Sequence, residues 1–267
     1  MRINKDTTGY EQYLKNIKKE KLKILIYQIL LFAGFLVLWE VLANLGIIKT
    51  FLFSKPSDIF NLFVKYIENG ELFKHVKISV YETLVGLAIG TILGIIVAIM
   101  LWWSERLSKI LDPFLVILNA LPKTALAPII IVWAGAGVKG IVVIAVTISI
   151  VVTILSAYNY FINVDEEKIK MLKSFGATKS QILFKLILPA NVGNIINITK
   201  INIGMAWVGV FVGEFLVSRY GLGYLIVYGG QVFKLDLVMM GTFVLAICAW
   251  VMYEILNIAE KLYNSRR

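Results

Sequence analysis

The sequence predicts an all-α membrane protein of about six transmembrane helices, with a cytoplasmic helical loop between the fourth and fifth. Three observations carry that reading. The 267 residues are 59% hydrophobic and only 16% charged, with a mean hydropathy of +0.80, far from the composition of an ordinary soluble domain. Apolar runs recur at about the 20 residues that one bilayer crossing requires. One polar island, Asp165 to Pro189, interrupts them with five lysines and three acids.

Each element follows in order. Residues 1–23 carry seven Lys or Arg, and the apolar run Ile24 to Ala43 is too long for a signal-peptide core, so it reads as the first span. Residues 46–78 mix Pro56, Asp58, Glu68, Gly70 and Glu71 with apolar residues and read as an amphipathic helix at the interface that does not cross. The second span, Val80 to Trp103, sets Gly86, Gly90, Gly94 and Ala98 at four-residue intervals, a smooth face for another helix. After a polar turn with Glu105, Arg106, Lys109 and Asp112, the third span runs from Pro113 to Trp133. Pro122 and Pro128 remove backbone donors there, so this span is expected to bend and to line something. A turn from Gly135 to Gly140 leads to the fourth, Val138 to Tyr160.

In the island, Met171, Leu172, Phe175, Ile182, Leu183 and Leu186 recur at helical spacing. Gly176 is read as the stop of one helix and Thr178 as the N-cap of the next. Pro189 opens the fifth span as a first-turn proline, and that span extends to Leu216. The glycine-rich stretch Tyr220 to Gln231 is read as looped, and the last span covers Leu237 to Leu256. With the N-terminus inside, the larger share of the 27 Lys and Arg falls on the cytosolic side, which places both termini there.

Several chemistries are set aside. The net charge of +10 is scattered among apolar spans and serves topology rather than nucleic-acid binding. One cysteine, Cys248, and one histidine, His75, provide neither a disulfide nor a metal site. Gly135, Gly137 and Gly140 match G-x-G-x-x-G, but between membrane spans, without the strand a dinucleotide site needs. There is no P-loop and no H-E-x-x-H, and no pair of intramembrane carboxylates is read. No catalytic residue, metal or cofactor is assigned to the chain, which is not expected to be an enzyme.

The most specific signal lies in the island. Gly176, nine residues, then Leu186, Ile187, Leu188 and Pro189 fit G-x9-[IL]-x-L-P. This resembles the EAA loop of permease subunits of binding-protein-dependent ABC importers. Further similarity lies in LDPFLVILNALPKTALAPIIIVWAGAG at 111–137, LPANVGNIINITKINIGMAW at 188–207, and GEF with YGLGYLI within 213–226. The stretch 74–262 is similar to the type-1 membrane domain of that family, in the branch including sulfonate, taurine and nitrate permeases. It follows a 1–73 region of tail, first helix and external segment, and precedes a 263–267 tail. The family's Glu-Ala-Ala falls on Lys170, Met171 and Leu172, so its usual glutamate is absent.

The resemblance implies cytosolic ABC ATPase subunits docking on the 165–188 helices, with hydrolysis in those separate subunits. Apolar knobs at Phe175, Ala177, Ile182 and Phe184 would fill a groove, Lys173 and Lys179 would add rim charge, and Gly176, Thr178 and Pro189 would shape the turn. It also implies an extracytoplasmic solute-binding protein, a second permease copy as homodimer or sister subunit, and import of a small solute such as a sulfonate, nitrate or bicarbonate. Polar residues at membrane depth are costly and so mark a path or a contact. Asn119, Lys123, Thr124, Asn197, Asn202, Trp207 and Glu214 are the candidates, with Lys200 as a further buried cation. Lys123 and Lys200 have a second reading as snorkelling side chains. Glu214 has one as a helix-end group bonding the amides of the Tyr220 to Gly223 turn, and Trp207 one as an interhelical packing residue. A self-sufficient secondary transporter or channel, or a membrane scaffold, stands as the rival reading; the former would need its own ion site, and no clear inverted repeat is found.

Overall fold

The computed structural model describes residues 4–265, with side chains from 12 to 263. The described residues are mainly helical, with short turns between the helices and no strand. Five helices are long and apolar enough to cross a membrane, and six spans result if one bent pair counts as a single crossing. The chain divides into two compact units, Met1–Leu62 and Phe63–Arg267.

In the first unit, α1 (Asn4–Asn44) is followed by a single turn, Thr50–Phe53, and by the start of α2 (Pro56–Glu68). The Glu40 carboxylate accepts hydrogen bonds from the Ser57 amide (3.0 Å) and hydroxyl (2.8 Å). A negative charge is thereby placed at the N-terminus of α2, where the helix dipole favours it.

The second unit is built on α3 (Glu71–Trp103), α6 (Val138–Ile162) and α8 (Val192–Val217). The glycine stripe expected to admit another helix does so. A Cβ on Gly86 would lie 2.7 Å from Ala145 Cβ, and one on Gly94 would lie 2.5 Å from Thr153 Cβ, so α6 rides directly on this face. α8 packs on the same helix, its Gly213 against Ile141. Asn202 of α8 ties the three together, donating to Thr91 Oγ1 (3.0 Å) and Thr153 Oγ1 (2.7 Å).

Three boundaries differ from the sequence expectation. α3 starts at Glu71 rather than Val80, launched from Gly70 at φ +71°. The third span is α4 (Glu105–Ala120), a short 3₁₀ turn (Lys123–Leu126) and α5 (Ala127–Ala134), with an 86° bend between the arms. The bend is the one expected, and it falls at the Leu121–Pro122 step. The helix begins at Glu105 because Ser104 caps it, accepting from the Leu107 amide, and Pro113 lies inside α4 rather than at a span start. The stretch read as looped is largely the ten-residue helix α9 (Leu222–Gln231), followed by α10 (Leu235–Ser265). Its glycines serve contact: a Cβ on Gly229 would lie 3.0 Å from Val238 Cγ2 of α10, and packing of this kind outweighs the low helix propensity of glycine.

Candidate functional site

The polar island folds as the expected helix pair. α7 (Glu166–Ser174) is capped by Asp165, which accepts from the Glu167 amide at 2.9 Å. Gly176 turns the chain at φ +76°, and its amide and that of Ala177 close on Lys173 O (2.9 Å) and Leu172 O (3.0 Å). Only glycine adopts this left-handed stop without steric cost. Thr178 and Gln181 then form a reciprocal capping box at 3.3 and 2.8 Å, fixing the start of the next helix. Lys170, at the position of the missing glutamate, pairs with Glu166 at 3.1 Å on the exposed face.

Residues 183–187 form a π-helical turn in which the Leu188 amide reaches Leu183 O. Pro189 has no N–H to give Lys185 O, and its ring crowds that carbonyl, which widens the turn here. Pro189 therefore sits in a three-residue bridge, Leu188–Ala190, and the long helix starts only at Val192.

The loop has two sides. Ile182, Leu183 and Ile187 are buried in one apolar cluster with Ala98 of α3, Phe161 of α6 and Ile198 of α8. Phe175 and Phe184 stand 81% and 65% exposed, and Lys173 is exposed. One expectation changes accordingly. Ile182 faces the chain's own core and not a partner, because residues two apart on a helix point about 200° apart and so Ile182 and Phe184 cannot share a face. Lys179 is exposed, and its Nζ donates to Trp103 O at 2.6 Å and lies 5.5 and 5.7 Å from the rings of Trp102 and Trp103. Ala177 is half-buried against the same cluster.

A second polar site lies at the opposite end of α8, roughly 33 Å away at 1.5 Å per residue. The N-terminus of α9 has no cap of its own. Its amides are taken by side chains from other helices: Gly221 N–H by His75 Nδ1 (2.9 Å), Leu222 N–H by Ser79 Oγ (2.8 Å) and Gly223 N–H by Glu214 Oε2 (2.6 Å). Ser79 in turn donates to Glu214 Oε1 at 2.5 Å. Glu214 is thus the helix-end group that bonds the turn amides, the second of its two readings. Glu82 of α3 lies near it, and both residues are 1% exposed. The chain therefore does contain an intramembrane carboxyl pair, which the sequence reading did not find; two acids in apolar runs were the available signal.

The remaining path candidates separate by exposure. Asn119, Thr124 and Asn197 are exposed on the surface of the chain, and Lys123 is half-buried with Nζ on Asn119 O at 3.3 Å. Asn202 and Trp207 are enclosed within the bundle of one chain. Lys200 is paired with Glu260 of α10 and held at 3.3 Å from Asn257 Oδ1.

A bent, glycine-packed bundle of long apolar helices with a two-sided loop of this kind defines a multi-pass membrane protein. The family model described as "Binding-protein-dependent transport system inner membrane component" matches residues 90–267. The chain belongs to that family and is a permease of the ABC importer type. It is 31% identical over 220 residues to the putative aliphatic sulfonates transport permease protein SsuC of Bacillus subtilis (strain 168), covering 82% of this chain and 79% of the relative. It is 28% identical over 195 residues to the formylaminopyrimidine transport permease protein ThiX of Halalkalibacterium halodurans, covering 73% and 77%. Among solved structures, the inward-facing MetNI methionine ABC transporter superposes with a TM-score of 0.65 at 17% identity, over 72% of this chain and 95% of that one, a likeness of fold.

Proposed function

We propose that two copies of this chain enclose a pore that passes a small solute delivered by an extracytoplasmic binding protein, and that ATPase subunits drive it by docking on the 165–188 loop from the cytoplasm, where both termini lie. The carrying observation is the two-sidedness of the loop. Phe175 and Phe184 project outward, while Ile182, Leu183 and Ile187 lock the same short segment to α3, α6 and α8. A push on the aromatic knobs is transmitted to three spanning helices at once, which a floppy loop would dissipate. ATP hydrolysis belongs to the docked subunits.

The exposed polar set of Asn119, Thr124 and Asn197, with Lys123 beside it, would face the second copy across the pore and offers donors to a small oxyanion such as a sulfonate. The two relatives are named for a sulfonate and for a pyrimidine, so the solute panel must include both classes.

The test is co-purification of the permease with its ATPase. Phe175→Asp places a charge on an exposed knob that touches no core, so membrane insertion and thermal stability are expected to stay as in the wild type while association falls by about tenfold or more, the scale of a lost hot spot. Unchanged association would remove the loop from the interface.

A further inference from the structure

A cavity of about 400 Å³ opens at the loop end of the bundle, where the end of α6, the start of α7 and the Leu186 to Asn194 connection into α8 meet. That volume falls in the range of small-molecule sites, roughly 300–1,000 Å³. Its lining divides by chemistry. Leu186, Pro189 and Ala190 make an apolar side, and Lys168, Lys185, Asn191 and Asn194 a polar one.

The polar side is rich in donors and short of acceptors. None of the ion pairs among the described residues uses Lys185. Asp165 is the acid in the lining, and both its oxygens are engaged: Oδ1 accepts from the Glu167 amide at 2.9 Å, and Oδ2 lies 3.6 Å from Lys168 Nζ. Two lysines are thus set against one committed carboxylate, which leaves a positive charge over. Asn191, only 3% exposed, and Asn194 each commit one amide N–H, to Ile187 O at 2.9 Å and to Asn191 Oδ1 at 2.8 Å. An amide group carries two, so a second remains on each. A cation would be repelled here, an apolar molecule would strand the donors, and an inorganic ion would leave the apolar side bare.

We propose that this cavity binds a small organic oxyanion, a sulfonate or carboxylate with a short apolar body, held at its charged end by Lys168, Lys185 and the amides of Asn191 and Asn194. On the topology proposed above the site opens to the cytoplasm, and its ligand is exchanged with that side. Lys168 belongs to α7 and Lys185 to the π turn, whereas the two asparagines lie at the start of α8. A bound oxyanion therefore joins the loop to a spanning helix across the junction where Pro189 interrupts the backbone bonds. Neither Phe175 nor Phe184 lines the cavity, so the site is tested on the permease alone, apart from ATPase docking.

The experiment is thiol labelling of the full chain in nanodiscs of zwitterionic lipid. Ala190 is exposed and lines the cavity, so Ala190→Cys on a Cys248→Ala background places a single thiol in the wall. Neutral methyl methanethiosulfonate and its sulfonate-bearing analogue are compared, each rate divided by that for a free thiol in solution. The anionic reagent should react roughly fivefold faster or more, the Coulomb scale of one unit charge at about 4 Å in water, and Lys168→Gln or Lys185→Gln should each remove most of that advantage with the neutral rate unchanged. Millimolar ethanesulfonate should slow the neutral reagent severalfold, beyond sodium chloride at matched ionic strength, and should fail to do so in the double lysine variant. A thiol closed to the neutral reagent means that protein fills the cavity, and overturns the proposal. So does protection by ethanesulfonate that equals that of chloride or survives loss of both lysines. Equal protection by inorganic phosphate would overturn the organic ligand, and protection by phosphatidylglycerol in the nanodisc, without ethanesulfonate, would give the site to a lipid headgroup instead.

Discussion

Replacing Gly209 by alanine tests the helix packing where one helix meets the backbone of another. A Cβ there would lie 2.9 Å from Ala145 N and 3.1 Å from Ala145 Cβ, and closer still to Ala145 Cα. Ordinary contact between such atoms begins at 3.4 Å, and the obstructing atoms are backbone, so no side chain can swing aside. Helices α6 and α8 would have to separate by roughly 1 Å, enough to forfeit a quarter to a half of the dispersion well at each neighbouring contact. Overpacking of this kind costs about 1–3 kcal/mol. Gly204 lies on the same helix with nothing within 4 Å of its would-be Cβ, so Gly204→Ala meets no clash and gains up to about 1 kcal/mol of helix propensity. The two variants should therefore differ by about 2–4 kcal/mol in opposite senses. Equilibrium unfolding in mixed detergent micelles, followed by tryptophan fluorescence, measures both. Gly209→Ala as stable as Gly204→Ala would refute the close approach of α6 and α8.

Two further outcomes follow from polar contacts. The side chains of Lys200 and Glu260 are 9% and 20% exposed, so Glu260→Gln strands a nearly enclosed ammonium and should cost about 3 kcal/mol in the same unfolding assay, while the double variant Lys200→Met with Glu260→Met should recover most of it; equal losses in both would remove the pair from the stability of α8 and α10. Lys179→Met removes the link from the loop to Trp103 O at the end of α3 and should lower solute-stimulated ATP turnover about fivefold with ATPase association intact, Lys179→Arg restoring part of it; a parallel fall in association would return Lys179 to the docking surface.

What could be read from the chain alone was whatever depends on near neighbours. The stripe of Gly86, Gly90 and Gly94 needs only the four-residue period of a helix, and the stop at Gly176 and cap at Thr178 need only local backbone chemistry; all of these hold. The bend of the third span was carried by Pro122 itself. What failed depends on distant partners. α9 forms despite its glycines because Ser79 and His75, 143 and 146 residues away in sequence from the amides they bond, join the nearby Glu214 in supplying the caps. Glu82 is marked by standing in an apolar run, but nothing local announces that it lies near Glu214. Ile182 was placed outward because periodicity identifies an apolar residue without saying which surface it faces, and the π turn at 183–187 shifts the register just beyond it.

The two-sided loop separates two kinds of evolutionary freedom. Under the docking proposed above, outward positions such as Phe175 and Phe184 can drift together with the ATPase they meet, one pair of surfaces adjusting to the other. Ile182, Leu183 and Ile187 are bound to the permease's own lineage, since any change there must be matched on α3, α6 and α8. A chimera built to recruit a different motor should therefore exchange the outward residues alone; transplanting the whole loop would import a core that belongs to another bundle.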